Sequence, residues 1–296
     1  MDARLQRRVQ RYGWDLAVDD YARHWHALLA GVQGELLALA AVQPGEQVLD
    51  VACGTGVVSL AMAAAVGPGG SVLGVDLSAG MVASATARAQ AAGVTQARFA
   101  RMDAEALALP AASFDLVVCA LGLMYVPNAN AALREVQRVL RPGGRAVFAV
   151  WGRRARCGWA ALFGVVDAEV HSEVCPLFFG LGQGDALARA CAAAGLTVSA
   201  SHRRDDLLWH ADGDAACEAA FAGGPVALAW SRFDAAKRDR VRERYLGAIA
   251  PWREGAAYRL PAEFVLVAAQ RPAAAGRIVA NQPPPNHDAN TGSLLP

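Results

Sequence analysis

Short apolar runs alternate along this chain with longer stretches whose apolar positions recur every three or four residues. That alternation predicts a parallel sheet wrapped by helices. Val48-Leu49-Asp50-Val51 runs straight into Ala52-Cys53-Gly54-Thr55-Gly56 and then into the strong helix formers Ala61-Met62-Ala63-Ala64-Ala65. Gly67-Pro68-Gly69-Gly70 ends that first helix, and residues 71–76 read as a second buried strand. A helix over 79–92 closed by Gly93, a strand over 97–102 and another from Phe114 to Cys119 follow. An amphipathic helix over 129–140 stops at Arg141-Pro142-Gly143-Gly144, and a fifth strand occupies 145–151. A helix over 185–194 capped by Gly195 leads to a sixth strand starting over 196–201, and residues 264–269 supply the last.

Two regions break this rhythm. Residues 11–29 place Trp14, Val18, Tyr21, Trp25 and Leu28 at three- and four-residue steps, one face of a helix. Residues 157–184 and 210–252 interrupt the strand order, the second with helical segments around 215–221 and 235–248. Phe163, Phe178, Phe179, Phe221 and Trp230 in these segments, with Trp209 just before the second, are expected to build a weakly polar pocket over the carboxyl edge of the sheet. Ordinary packing of a cap accounts for the same residues equally well.

The first strand, turn and helix have the form of a ligand cradle. Gly54 and Gly56 remove side chains where the backbone bends and a ligand must lie against it. Asp76 ends the second strand about twenty residues on, where an acid accepts from a ribose. Ser78 can cap the following helix, which leaves Asp76 free for that task. A nicotinamide dinucleotide would want a third glycine where Ser59 stands, and Asp50 would repel its pyrophosphate. A donor carrying an ammonium and a sulfonium would be attracted to the same acid.

With these residues the chain resembles the class I S-adenosylmethionine-dependent methyltransferases, and within them the ubiquinone/menaquinone-biosynthesis-like branch of methyltransferase type 11. The matching motifs are Asp50 to Gly56, Gly74-Val75-Asp76-Leu77-Ser78 with Met81, Asp103-Ala104-Glu105, Phe114 to Cys119, and Leu140 to Gly144. The resemblance covers roughly residues 45–151 and is diffuse beyond. It implies an α/β, Rossmann-like fold: a seven-stranded, mostly parallel sheet with its seventh strand antiparallel beside the sixth. Helices lie on both faces, with an N-terminal helical lid over 1–40 and an inserted helical cap.

The S-adenosylmethionine core would span 41–152, with the rest of the sheet and the cap insertions over 153–270. The backbone of Ala52, Cys53, Gly54 and Gly56 and the Thr55 side chain would hold the methionine part, with Asp50 near its amino group. Asp76 would take the ribose hydroxyls, Leu77 and Met81 would line the adenine, and Asp103 and Ala104 would read its edge. Cys119 would border the methionine. A helix of this family's type over residues 11–29 would cover the cofactor, with an aromatic near Tyr12 or Tyr21 touching it. Leu77, Met81 and Cys119 also suit plain core positions.

Methyl transfer from a sulfonium is an in-line displacement whose donor is already activated, so alignment and water exclusion are the protein's main tasks. Tyr21, His24 and Tyr125 are the candidate catalytic side chains. His24, with His26 beside it, offers an imidazole base, and Tyr125 a hydroxyl suited to orienting a small-molecule methyl acceptor. The acceptor expected is aromatic or lipophilic, methylated on oxygen, nitrogen or carbon. A protein that binds S-adenosylmethionine without turnover, a thiol or arsenite methyltransferase and an NAD-dependent oxidoreductase are the alternatives.

Composition narrows the rest. With 28 basic and 27 acidic residues there is no basic footprint for nucleic acid, and Cys119-Ala120-Leu121-Gly122 lacks the Asn-Pro-Pro-aromatic signature of base amino-methylation. The six cysteines form no Cys-x-x-Cys pair, so free thiols and no metal are expected. No apolar run reaches membrane-span length and the first residues lack a signal-type stretch, so a cytoplasmic place is expected, with a homodimer left open. From Arg271 onward the Pro- and Asn-rich composition reads as a flexible tail over 271–296.

Overall fold

The computed structural model describes residues 3–170, 175 and 177–273. The segment expected to be a flexible tail lies outside the described residues apart from its first three. The chain opens with one helix, α1 (Ala3–Ala40), of 38 residues, about 57 Å long at 1.5 Å per residue. Then come β1 (Gln47–Val51), α2 (Val57–Val66), β2 (Ser71–Asp76), α3 (Ala79–Ala91), β3 (Ala97–Arg101) and β4 (Phe114–Ala120). Next are α4 (Ala129–Val139), β5 (Leu140–Trp151), α5 (Ala161–Val170), α6 (Ala186–Ala193) and β6 (Thr197–His210). The cap helices α7 (Gly213–Phe221), α8 (Ala227–Ser231) and α9 (Ala235–Ile249) precede a two-residue strand, β7 (Arg253–Glu254), and β8 (Ala257–Gln270).

The main sheet has the order β3-β2-β1-β4-β5-β8-β6, with β7 paired to β8 off that path. β3, β2, β1, β4 and β5 are parallel neighbours, and β8 runs antiparallel between β5 and β6. This is the seven-strand, mostly parallel order that the motifs imply. The direction of strand addition reverses between β1 and β4. Right-handed crossovers therefore put α2 and α3 on one face and α4 and α6 on the other. The central strands are buried on both faces, which explains their unbroken apolar runs.

Several boundaries move. β5 starts at Leu140 rather than after the Pro-Gly-Gly turn, because Phe114 pairs with Leu140 and the register then jumps to Leu116 with Arg145. Arg141-Pro142-Gly143-Gly144 is therefore an irregularity inside the strand. β6 and β8 each run 14 residues, far beyond the short segments expected. Their extensions carry His202, Arg203, Arg204, Asp205 and Asp206 opposite Ala262 to Leu266. Those charges are matched across the sheet and to α1: His202 Nε2 lies 2.5 Å and Arg204 Nη1 3.0 Å from the two Glu35 carboxylate oxygens.

Glu263, with its side chain 2% exposed, accepts from Arg153 Nη2 at 2.6 Å and from Arg203 Nη1 at 2.7 Å. A partnered buried carboxylate can sit in a strand, and Pro261 is tolerated because β8 extends there past the end of β5.

α1 runs diagonally across the sheet. Its first turns meet the loops after β3 and β2, and its last turns reach β6 and the start of β5. The buried line is Gln6, Gln10, Gly13, Ala17, Trp25, Leu29, Val32, Leu36 and Ala40, at steps of three or four apart from the interval that Tyr21 fills. The expected stripe shares Trp25 with it and otherwise stands about one residue out of phase. That offset turns Trp14 and Tyr21 toward a cavity instead of the core.

Candidate functional site

Above the carboxyl ends of β1 to β4, and beneath α1, lies a cavity enclosing about 1060 Å³ including its mouth. One side is walled by Ala52, Gly54, Asp76, Leu77, Met81, Met102, Asp103 and Ala104. On the other side stand Trp14, Tyr125, Trp151, Trp159 and the cap turn Gly223-Gly224-Pro225. Tyr21 and Trp25 hang from α1 between them.

The loop after β1 is wound through left-handed backbone at Ala52 (φ 56°), Gly54 (φ 54°) and Gly56 (φ 82°). At Gly56 glycine is required twice over, since a Cβ there would also stand 3.0 Å from Ala85 Cβ on α3. The loop's glycines thus let α2 start while α3 packs close behind. Asp76 fastens the loop to β2. Its Oδ2 accepts from the Gly54 N–H at 2.9 Å and its Oδ1 from the Ser78 N–H at 2.9 Å. Burial raises its pKa against those two bonds. Ser78 caps α3, its hydroxyl accepting from Met81 N–H at 3.0 Å, which leaves the Asp76 carboxylate on the cavity wall.

Asp50 is 1% exposed and does not line the cavity. Ser59, fully buried where a dinucleotide site would want its third glycine, donates to Asp50 Oδ2 at 2.5 Å. Oδ1 is buried without a partner among the described residues. Burial, with Asp76 nearby, pushes the Asp50 carboxyl up to about 7. Behind the cavity wall, beside Asp76, the chain thus keeps a buried carboxyl with one unpartnered oxygen.

Three side chains of α1 make polar contacts that hold it against the loops beneath it. Arg7 Nη2 lies 3.0 Å from Glu105 Oε2, and Arg7 Nε 3.4 Å from Asp103 Oδ2. Asp15 Oδ1 accepts from Ser78 Oγ at 2.6 Å and from the Gly80 N–H at 3.0 Å. His26 Nε2 lies 2.7 Å from Thr55 Oγ1. One long helix is thereby tied in turn to the loops after β3, β2 and β1. The cap closes over it: the Trp25 indole donates to the Ala219 carbonyl at 2.9 Å, and a Cβ on Gly223 would stand 2.9 Å from the Asp20 carbonyl oxygen.

Of the residues singled out from sequence, Ala52, Gly54, Asp76, Leu77, Met81, Asp103, Ala104, Tyr21 and Tyr125 share this cavity. Thr55 does not reach it, being 1% exposed with its hydroxyl engaged by His26. Cys53, Gly56 and Cys119 lie behind the wall; burial lifts the Cys119 thiol to about 12, so it stays a neutral core group. His24 faces away, its Nε2 3.3 Å from Glu218 Oε2 on α7, beside buried His210, whose pKa falls to about 4 through burial and His24.

None of the six cap aromatics lines the cavity. Phe163, Phe178 and Phe179 pack with Trp159 as core behind it, Phe221 stacks on Trp230 with centroids 4.7 Å apart, and Trp209 is 57% exposed. The reason is the path of α1, which takes the roof the cap was expected to form. Aromatic walls come instead from Trp14, Tyr21 and Trp25 on α1 and from Tyr125, Trp151 and Trp159 at the strand tips. Trp151 was detectable in the sequence, because it ends a parallel strand, where such sheets bind ligands. Arg7 and Gln10 carried no such signal.

Tyr21 and Tyr125 each meet Trp14 edge-on, with centroids 5.5 and 5.1 Å away. Burial, with Asp76 and Asp50 adding to it, lifts the Tyr21 phenol well above its usual range, and burial does the same to Tyr125. Both residues line the cavity as neutral phenols.

Comparison with known proteins agrees with this geometry. Residues 48–144 match the family described as a methyltransferase domain. The chain is 36% identical over 128 residues to an uncharacterized protein of Mycobacterium tuberculosis, covering 43% of this chain and 45% of that one. It is 41% identical over 111 residues to a ubiquinone/menaquinone biosynthesis C-methyltransferase of Xanthomonas campestris, covering 37% of this chain and 44% of that one. The chain thus spans less than half the length of these curated relatives.

Among solved structures, a putative methyltransferase from Bacillus halodurans superposes with a TM-score of 0.60 at 20% identity, over 81% of this chain and 98% of that one. The YcgJ protein of Bacillus subtilis gives 0.59 at 20% identity, over 82% and 98%. These likenesses establish the fold.

Proposed function

We propose, from the premise that residues 48–144 form a class I S-adenosylmethionine-dependent methyltransferase domain, that the whole chain methylates a small aromatic or lipophilic molecule. The observation that carries this reading is the division of one cavity into a polar half, with Asp76 and Asp103 at adjacent strand ends, and an aromatic half. The polar half fits S-adenosylmethionine. Asp76 can accept from ribose hydroxyls, Gly54 leaves backbone bare beside it, and the cationic end is attracted toward Asp76, with Asp50 buried behind the wall. Leu77, Met81 and Met102 supply an apolar slot, with Asp103 and Ala104 at its rim. When bound, this donor supplies an electrophilic methyl group on sulfur.

The chain's own residues then orient and enclose. Trp14, Tyr125, Trp151 and Trp159 form flat apolar walls for a planar acceptor, and α1 with the 223–225 turn keeps water out. The titratable residues lining the cavity are Arg7, Asp76, Asp103, Tyr21 and Tyr125. Arg7 is paired with Asp103, Asp76 with backbone, and both phenols are held protonated. The acceptor must therefore bring its own nucleophile, as an amine, a phenolate or an electron-rich carbon does, while Tyr125 donates to one of its oxygens.

Thiol chemistry is less well supported. Cys157 and Cys175 contact the Glu263 carbonyl and Gln10 respectively, and burial lifts both thiols to about 12. The reading is tested by screening phenols, quinols and amines with a labelled methyl donor. Label appearing in one class and lost in Tyr125→Phe supports it. A protein that binds the donor and labels nothing would be a binding protein instead. Cytoplasmic action belongs to the same proposal; among the described residues no helix is long and apolar enough to cross a membrane.

A further inference from the structure

His26 joins the glycine loop to α3. From α1 it approaches the glycine loop, Nε2 standing 2.7 Å from Thr55 Oγ1. On its other side Nδ1 lies 3.2 Å from an Arg88 guanidinium nitrogen on α3. A guanidinium can only donate, so Nδ1 must accept and the ring proton must sit on Nε2, which donates to Thr55. The imidazole also stands edge-on to Tyr21, centroids 5.7 Å apart at 85°. Tyr21 in turn covers Gly54: its Cε1 is 4.0 Å from where a Gly54 Cβ would be.

We propose that His26 is a positioning residue for the methionine end of the cofactor, acting through Thr55 on the glycine loop and through Tyr21 on the face above it. The inference rests on the cofactor reading given above. Its physical basis is that the loop holds three left-handed residues in five positions, at Ala52, Gly54 and Gly56, and needs an external anchor to keep one shape. Thr55, buried and turned from the cavity, is the loop's handle, and His26 grips it. The charged group facing the imidazole is Arg88; Thr55 and Tyr21 are neutral. A protonated ring could no longer accept from Arg88 and would set two cations side by side. Burial and Arg88 both hold the ring neutral, lowering its pKa.

Calorimetric titration with S-adenosylhomocysteine from about pH 8 to about pH 5.5 tests this in the full chain. His26→Phe and Thr55→Val should each weaken binding about fivefold to tenfold, the loss of one hydrogen bond. His26→Gln, whose amide can accept from Arg88 and donate to Thr55, should stay within about twofold. Wild type should lose affinity on acidification more steeply than His26→Gln. Comparing those two profiles removes the share of Asp50 and Asp76, which titrate in both.

The proposal is overturned if wild type binds and either Thr55→Val or folded His26→Phe matches it, or if wild type and His26→Gln fall in parallel. If wild type itself does not bind, the cofactor reading fails and takes this inference with it.

Discussion

Ala52 and Gly122 meet across the tips of β1 and β4: a Cβ built on Gly122 would stand 2.3 Å from the Cβ of Ala52. Ala52 itself is held at φ 56°, a conformation that costs an L-residue about 1–2 kcal/mol. The two strand ends that carry the site are thus pressed together with no spare volume. Gly122→Ala should destabilise by about 1–3 kcal/mol. Ala52→Gly should change stability by less than about 1 kcal/mol, relief of strain offsetting added unfolded-state freedom. The double variant should recover most of the loss, since its next contacts are 3.3 Å from Cys119 Sγ and 3.6 Å from Ala52 Cα. Urea melts of the four proteins check this, and simple additivity would refute the contact.

Asp50 makes ligand-free stability fall with pH. Its carboxyl is raised to about 7 by burial, so the folded state binds its proton more tightly than the unfolded chain, whose carboxyl titrates near 4. The favourable contribution is complete below about pH 4 and is lost as pH rises through about 7. Between about pH 5 and pH 8, wild type should lose melting temperature relative to Asp50→Asn. Equal slopes would mean that Asp50 is not a buried, isolated charge.

Glu263 behaves oppositely. Buried beside Arg153 and Arg203, its carboxyl is lowered to about 2. Its stabilisation is present above about pH 4.5 and fades as pH falls toward 2. Glu263→Gln leaves the partly exposed Arg153 and Arg203 without their shared carboxylate and should cost about 1–3 kcal/mol. A chemical melt with a loss below about 1 kcal/mol would show that solvent already screens the cluster.

Tyr125→Phe separates binding from turnover. The phenol is not placed among the ribose and adenine residues, so affinity for S-adenosylhomocysteine should remain within about twofold, while kcat/KM for an accepted substrate should fall about fivefold to tenfold. Unchanged turnover would remove Tyr125 from acceptor orientation.

Much of the first half of this architecture could be read from sequence, because the central strands β1 and β4 are buried on both faces and the turns between elements are marked by glycine. The acids at positions 76 and 103 were legible for the same reason, since one ends β2 and the other stands two residues past β3. What could not be read depends on pairing across long separations. The charged stretch from His202 to Asp206 looks like loop until Glu35 and Glu263, far away in sequence, supply its partners. The aromatic lining was misassigned because periodicity fixes which residues share a helix face but not which way α1 crosses the sheet. One step of helical phase sends Trp14 into the cavity and leaves Phe178 behind it. His24 and His26 are distinguished only by that phase: two residues apart, they sit on opposite faces of α1 and meet Glu218 and Thr55 respectively.

The most direct test is calorimetry of the purified chain with S-adenosylhomocysteine and, separately, with NAD. One-site binding of S-adenosylhomocysteine, weakened about tenfold or more by Asp76→Ala, with no heat from NAD, is the predicted result. Uptake of the dinucleotide with indifference to S-adenosylhomocysteine would contradict the account.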